Sequence, residues 1–591
     1  MALAIFSILL TSEHFVFLSH SFAWVHDGTN YLTGPLAYAS SWQEAIGSFW
    51  YPGSMAGVDK LSQPPFVPAL EFVYFLLPIK WAEPLLVIFQ AGTACCLTYL
   101  LCLRLGISKT GAIVSAILYA LPYSRGFVVN GSFAFLPGYL LAMSVIDTSR
   151  SGLTKLLFGA VLGILFGLTI TNFHTPFIVC TVILWLIFFD TALLRKIWIY
   201  VIFSLFSLAM IRLPALLAMI HNAEGSQRDL VLSASNSLHY ISAFSLPTMM
   251  WNAVPVTVIT LVAVLVFHRQ WNFITLRMAL GLLAIFLGVL IVDIGRISDV
   301  INIGFLKTLK LDTFYISATF FAAVMAGSIF GQIRISQNHI NNSRSNAAFI
   351  SIAVLILVCS SFVIVKDKIK HARIWLQNGS LSAQYSAANY AEISNRRSTE
   401  LPFRTATTSW SSPAYVQGFG LDSADGYLNI YPARYFELWR LVLVPEDHRN
   451  NALAWSEENI PPTKSLSLQF TIPTETSDAL EFEKLYNLDV LSLLNVKYIF
   501  SKKWIVASRL EPVFETPADW FKKTKPDKLM NNLKANFLDI PTIDIYRNKI
   551  VAPRFFVVSQ VKIHQTKRDL LSALSVASIS DLRDSAYFSG D

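Results

Sequence analysis

Charge is scarce in this chain: 14% of its 591 residues are Asp, Glu, Lys or Arg, against 54% hydrophobic. A soluble enzyme of this size is excluded on that balance. Cysteine is scarcer still, with five in all, and Cys95, Cys96, Cys102, Cys180 and Cys359 each fall in an apolar stretch. None stands at ligand-like spacing to histidine, so the sequence offers neither a metal site nor a disulfide framework. The C-terminal part carries no cysteine, which suits an oxidising compartment. No Walker-type, GxSxG or HExxH pattern occurs in its required context, so this chain alone is no ATP-driven pump. No internal repeat of the kind many secondary transporters show is visible. The N-terminus lacks a basic n-region and a small-residue cleavage site, so the first apolar stretch reads as retained.

What is there is hydrophobicity in long runs. From Met1 to about Val365 it comes in stretches of roughly 16 to 24 residues, enough to cross a bilayer core. The expected spans are Ala2–Ala23, Pro84–Leu103, Thr110–Pro122, Phe133–Ile146, Leu156–Thr171, Thr175–Phe189, Trp198–Ile220, Trp251–Phe267, Leu276–Val292, Phe314–Phe330 and Ala347–Val365. From Lys366 onward the sequence has dispersed charge, proline and aromatics. The fold class is therefore a polytopic α-helical membrane protein of about eleven transmembrane helices with a C-terminal α+β domain. The transmembrane domain spans 1–365 with a large first outer loop at 24–83, and the soluble domain spans 366–591.

Sidedness follows from the connections. One set is brief and basic: Arg104 and Lys109, Arg150 and Lys155, Arg195 and Lys196, Arg269 and Arg277, Arg334 and Arg344. By the positive-inside rule these face the cytoplasm, which also accounts for much of the +8 net charge without nucleic acid. The other set is longer and less basic, and faces outward. With an odd number of spans the C-terminal domain is extracytoplasmic, on a multi-pass protein of the cytoplasmic (inner) membrane. The apolar run Pro68–Pro78 is too short to cross and reads as an interfacial helix, with Tyr74 and Trp81 at headgroup depth.

Candidate chemistry gathers on the outer side. Asp27 stands where the first span ends and the long loop begins, beside His26. Its carboxylate suits a general base on an acceptor hydroxyl; Asp before Gly equally suits a turn. Asp59, in the same loop, has the same chemistry. Charged groups inside spans are costly, so Glu13, His14 and Arg212 stand out. Arg212, beside Pro214, reads either as a grip on a lipid-linked phosphate or as the partner of Glu13 in a buried pair. Lys307 and Lys310, three apart in an outer loop, suit a phosphate headgroup or simple snorkelling. His174 lies in a very short outer turn and is a further candidate lining residue.

In the C-terminal domain, strands are expected at Phe403–Ser409, Lys497–Phe500, Thr542–Arg547 and Phe555–Ile563. Helices are expected at Ala388–Arg396, Tyr431–Leu443 and Glu481–Leu494. The segment Gly418–Tyr435 combines turn glycines with Asp425, Tyr427 and Arg434, which offer either a polyol-binding surface or a packed structural loop.

Several short segments carry a family resemblance: the Asp27 junction; Trp50-Tyr-Pro-Gly and Gln63-Pro-Pro; Asp425-Gly-Tyr with Tyr431-Pro-Ala-Arg-Tyr; Leu493-Leu-Asn-Val-Lys-Tyr-Ile-Phe; Ile545-Tyr-Arg-Asn with Ala552-Pro-Arg-Phe. Together they resemble the bacterial YfhO-like membrane proteins, of the GT-C superfamily of polyprenyl-phosphate-dependent glycosyltransferases. The resemblance implies a GT-C-like membrane domain that takes sugar from a polyprenyl-phosphate-linked donor. The acceptor would be an envelope glycan or glycolipid outside the membrane, with Asp27 as the family's first-loop acid and Asp59 the nearest second acid. Relatives in that superfamily in some cases use a divalent metal; no cluster here demands one. Competing readings are a transporter or flippase of lipid-linked glycans and a non-catalytic scaffold that binds envelope polymer.

Overall fold

The computed structural model describes residues 2–22, 50–55, 57–59, 73–74, 76–125, 131–145, 151–170, 174–189, 191–223, 226, 272–297, 314–337, 343–408, 413–428, 431–460, 465–468, 479–513, 530 and 533–590. Among these, four helices are long and apolar enough to cross a membrane: Ile79–Arg104, Gly152–Thr169, Trp198–Asn222 and Phe273–Ile291. Shorter apolar helices accompany them at Ser132–Val145, Thr175–Phe188 and Ile316–Gly331. The chain is a membrane protein, mostly helical. Of the expected spans, Trp251–Phe267 lies outside the described residues. Ala347–Val365 falls inside the helix Ser343–Asn378, which at 36 residues runs about 54 Å.

Local signals explain several boundaries. Ser108 and Ser151 cap the helices Lys109–Ala120 and Gly152–Thr169, accepting from the backbone N–H of Gly111 and Thr154. The helix Thr191–Ala223 runs through Pro214 without interruption. The first span is not one straight rod. It breaks at Thr11 into Ala2–Leu10 and Ser12–Phe17, and the pair bends by 76°. Thr11 Oγ1 bonds back to the Ser7 carbonyl, which weakens the helical ladder there. Just beyond, Glu13 is drawn sideways to Lys368 and His371 on the helix Ser343–Asn378.

Helix pairs approach closely where side chains are small. A Cβ on Gly163 would lie 2.0 Å from the Ser204 carbonyl oxygen, so only glycine permits this contact between Gly152–Thr169 and Thr191–Ala223. The membrane-side core runs from Leu10 through Tyr119, Tyr139 and Trp185 to Phe330. Outward faces are apolar, as lipid exposure requires: Val358, Phe362, Val365 and Ile369 form one exposed stripe.

Beyond Gly379 the chain forms a mixed α/β unit. Its central sheet has four strands in the order Arg404–Thr407, Val496–Ser501, Asp544–Asn548, Leu510–Pro512. The first pair is parallel and the others antiparallel. A separate parallel pair joins Gln560–His564 to Ser585–Ser589. Helices Ala387–Arg396 and Ala433–Val442 form where the periodicity places them. The expected helix Glu481–Leu494 is split into Phe482–Leu485 and Leu488–Leu493. Asn487 causes the split: its side chain caps the second piece by accepting from Asp489 N and Val490 N.

Candidate active site at the membrane mouth

Part of the first loop is built into the C-terminal unit. Trp50–Tyr51 pairs antiparallel with Val58–Asp59, setting Trp50 opposite Asp59. The turn between them closes with Gly57 N donating to Ser54 O at 2.8 Å. Gly57 sits at φ +120, a conformation that glycine alone tolerates easily. Tyr51, Met55 and Val58 are buried in one core with Leu428, Tyr431 and Phe436. Two backbone bonds stitch the halves: Met55 N to Asp425 O and Ser423 N to Gly53 O, each 3.1 Å.

The end of the Arg212 helix joins the same place. Asn222 Nδ2 donates to Asp59 Oδ2 at 2.8 Å. Four residues on, Ser226 bridges Pro432 of the C-terminal unit. Three remote segments thus meet at one face of the helical bundle, and Asp59 is the carboxylate held there.

Asp425 is fully buried and belongs to the framework of this junction. It accepts from Thr407 N at 2.7 Å, from Thr407 Oγ1 at 2.6 Å and from Ser423 Oγ. Burial pushes its carboxyl up to about 6, while those three donors oppose the rise. Its neighbour Tyr427 lies in a short strand paired with Ser465–Leu466. Arg434 is exposed on the first turn of Ala433–Val442. The polar groups of this segment therefore point in different directions, one into the core and one to solvent.

Arg212 is 1% exposed, and its Nε donates to the Gly167 carbonyl oxygen at 2.7 Å. That carbonyl lies in the last turn of Gly152–Thr169, where helical oxygens lack intrahelical donors, and a cation is favoured there. From Arg212 to Asn222 is ten residues along one helix, about 15 Å. The expected alternative, a Glu13–Arg212 pair, is not what forms. Glu13 engages Lys368 and, at 2.7 Å, His371 Nδ1, so the first helix is fixed to Ser343–Asn378 instead. Spacing contained that signal: Lys368 and His371, three apart, share a helical face.

His174 is buried at the start of Thr175–Phe189, its ring 5.0 Å from that of Phe133. Tyr74 is buried and donates to Glu83, itself buried at the start of Ile79–Arg104. Trp81, in contrast, is exposed. Asn222 and Glu83 do not stand out in the sequence, because Asn222 is uncharged and Glu83 falls just outside the expected span Pro84–Leu103. His26, Asp27, Lys307 and Lys310 lie outside the described residues. Among the described residues, no three His, Cys, Asp or Glu side chains come together as a metal site requires.

The fold and this junction define a polytopic membrane protein whose α/β unit is fastened to one mouth of its helical bundle. No family model matches the chain, and no curated protein matches it. Among solved structures it is similar to the arabinofuranosyltransferase AftD from Mycobacteria, at 12% identity and a TM-score of 0.47, covering 96% of this chain and 43% of that one. It is also similar to ArnT from Cupriavidus metallidurans in the apo state, at 14% identity and a TM-score of 0.37, covering 74% of this chain and 92% of that one. The chain thus spans less than half the length of the first of these.

Proposed function

We propose that this chain is a membrane glycosyltransferase of GT-C type. It moves a sugar from a polyprenyl-phosphate carrier to an envelope or cell-surface glycan or lipid acceptor, at the outer face of the cytoplasmic membrane. The observation that carries the reading is the junction itself. The first loop, the end of the Arg212 helix and the α/β unit are bonded together through Asp59, Asn222, Met55 and Asp425. A lipid-linked donor needs such a place, where membrane helices, an acid and a water-exposed unit meet. The short motifs that resemble those of YfhO-like proteins suit the same reading.

The reaction is a direct displacement. Asp27 takes the proton of an acceptor hydroxyl. The acceptor oxygen bonds to the anomeric carbon, the bond from that carbon to the phosphate oxygen breaks, and the lipid phosphate leaves with the electron pair. Arg212 from within the bundle, with Lys307 and Lys310 from the outer loop, offsets the charge building on the leaving phosphate. Asp59, oriented by Asn222, holds the acceptor.

Mass analysis of envelope glycans tests this in cells lacking the chain, complemented by wild type or by Asp27→Asn. The account predicts loss of one sugar substituent, restored by wild type only. Restoration by Asp27→Asn removes that residue from the mechanism. Unchanged glycans in the deletion remove the transferase. A sugar that stays on its carrier but moves across the bilayer would identify a flippase instead.

A further inference from the structure

We infer that the α/β unit is seated on the bilayer surface by a lipid-binding patch formed by Phe537 and Leu538 beside Trp375. The patch rests on a rigid turn. The backbone N–H groups of Phe537 and Leu538 both donate to Lys534 O, at 3.1 and 2.9 Å. Within this turn Asn536 is wholly buried and bonded on every side. Its Oδ1 accepts from Ser380 N, its Nδ2 donates to Trp375 O at 3.3 Å, and its carbonyl meets His20 Nδ1 at 2.7 Å.

With Asn536 held inside, the next two residues turn outward. Phe537 is 54% exposed and Leu538 56% exposed, although each is large and apolar. They do not face open water at random. The Phe537 ring lies 5.5 Å from His20 and 5.7 Å from Trp375, and Trp375 lies 6.1 Å from Phe17. Phe17 ends the first helix, where Phe15 and Val16 are also exposed. The apolar surface is therefore continuous from a membrane helix, across a tryptophan, onto the α/β unit.

Chemistry at the rim fits a phospholipid rather than a protein partner. Trp375 donates its indole N–H to the His20 carbonyl at 2.7 Å, leaving its apolar body at the junction, the disposition tryptophan takes at headgroup level. Lys534, whose carbonyl closes the turn, is exposed beside the same patch. Cations at that depth attract lipid phosphates. An apolar turn with a lysine at its base, continuous with the exposed apolar residues of the first helix, matches the boundary between headgroups and acyl chains.

Photo-crosslinking of the full chain tests the patch independently of any transferase activity. p-Benzoylphenylalanine is placed at Phe537, and in a second variant at Leu538, in nanodiscs of phosphatidylcholine and phosphatidylglycerol. Irradiation should add lipid mass to the peptide holding residues 533–538, and the adduct should vanish in lipid-free amphipol. The inference fails if neither position yields a lipid adduct, whether the products are intramolecular, joined to a second copy, or absent.

Discussion

Asp425 makes the stability of the α/β unit depend on pH in a direction opposite to most paired carboxylates. Its carboxyl is raised from 3.8 to about 6 by complete burial. A raised value means that protonation favours the folded state. That stabilising contribution is fully present below 3.8 and is lost as pH rises through about 6. The complete swing is about 3 kcal/mol, and somewhat under half of it, about 1 kcal/mol, falls between pH 7 and pH 5. For a unit of about 200 residues, about 1 kcal/mol moves Tm by about 2–4 °C. The perturbation is Asp425→Asn, which removes the titration and replaces one acceptor oxygen by an NH2 group. The variant is destabilised overall, because Thr407 or Ser423 loses its acceptor, but its loss should not change with pH. Melting of full-length protein in nanodiscs, followed by intrinsic fluorescence at pH 5 and pH 7, supplies the readout. Wild type should gain on acidification relative to Asp425→Asn by the amount above. Parallel profiles for the two proteins would show that this carboxyl does not titrate in that interval and would refute the argument.

Other consequences concern packing and buried charge. Gly163→Ala puts a methyl group against the Ser204 carbonyl, and should cost about 1–3 kcal/mol through forced separation of the two helices; thermal denaturation in detergent reads it. Glu13→Gln leaves Lys368 and His371 without their carboxylate and should cost about 3–5 kcal/mol. The double variant Glu13→Gln, Lys368→Met should recover part of that loss, and a purely additive cycle would count against the pairing. Arg212→Lys keeps the charge but loses the planar fork, so donor turnover should fall more than stability does. Equal losses in both would assign Arg212 to the Gly167 contact alone.

Local patterning was legible and long-range pairing was not. Strands at 404–407, 496–501 and 544–548 fall in segments rich in alternating β-formers, and their register is set by ordinary burial. The expected strand Phe555–Ile563 begins only at Gln560. Phe555 and Val557 have strong β propensity but are 86% and 97% exposed, so nothing pairs with them. The break in the first span could be suspected from Glu13 and His14, yet its partner lies 355 residues away. Asp59 and Asn222, separated by 163 residues, meet for the same reason: topology, and not local propensity, brings them together. Gly426 lies in a short strand and not in the turn that Asp-Gly suggests, and the bond from Met55 N to the Asp425 carbonyl joins segments that no local pattern links.

The transfer reaction itself is tested most directly with purified protein in nanodiscs, a polyprenyl-phosphate-linked sugar and a glycan acceptor, with release of the free carrier followed over time. The account predicts release that requires acceptor and disappears in Asp27→Asn while that variant still melts like wild type. Absence of release across a panel of donor sugars, or undiminished release by Asp27→Asn, would contradict it.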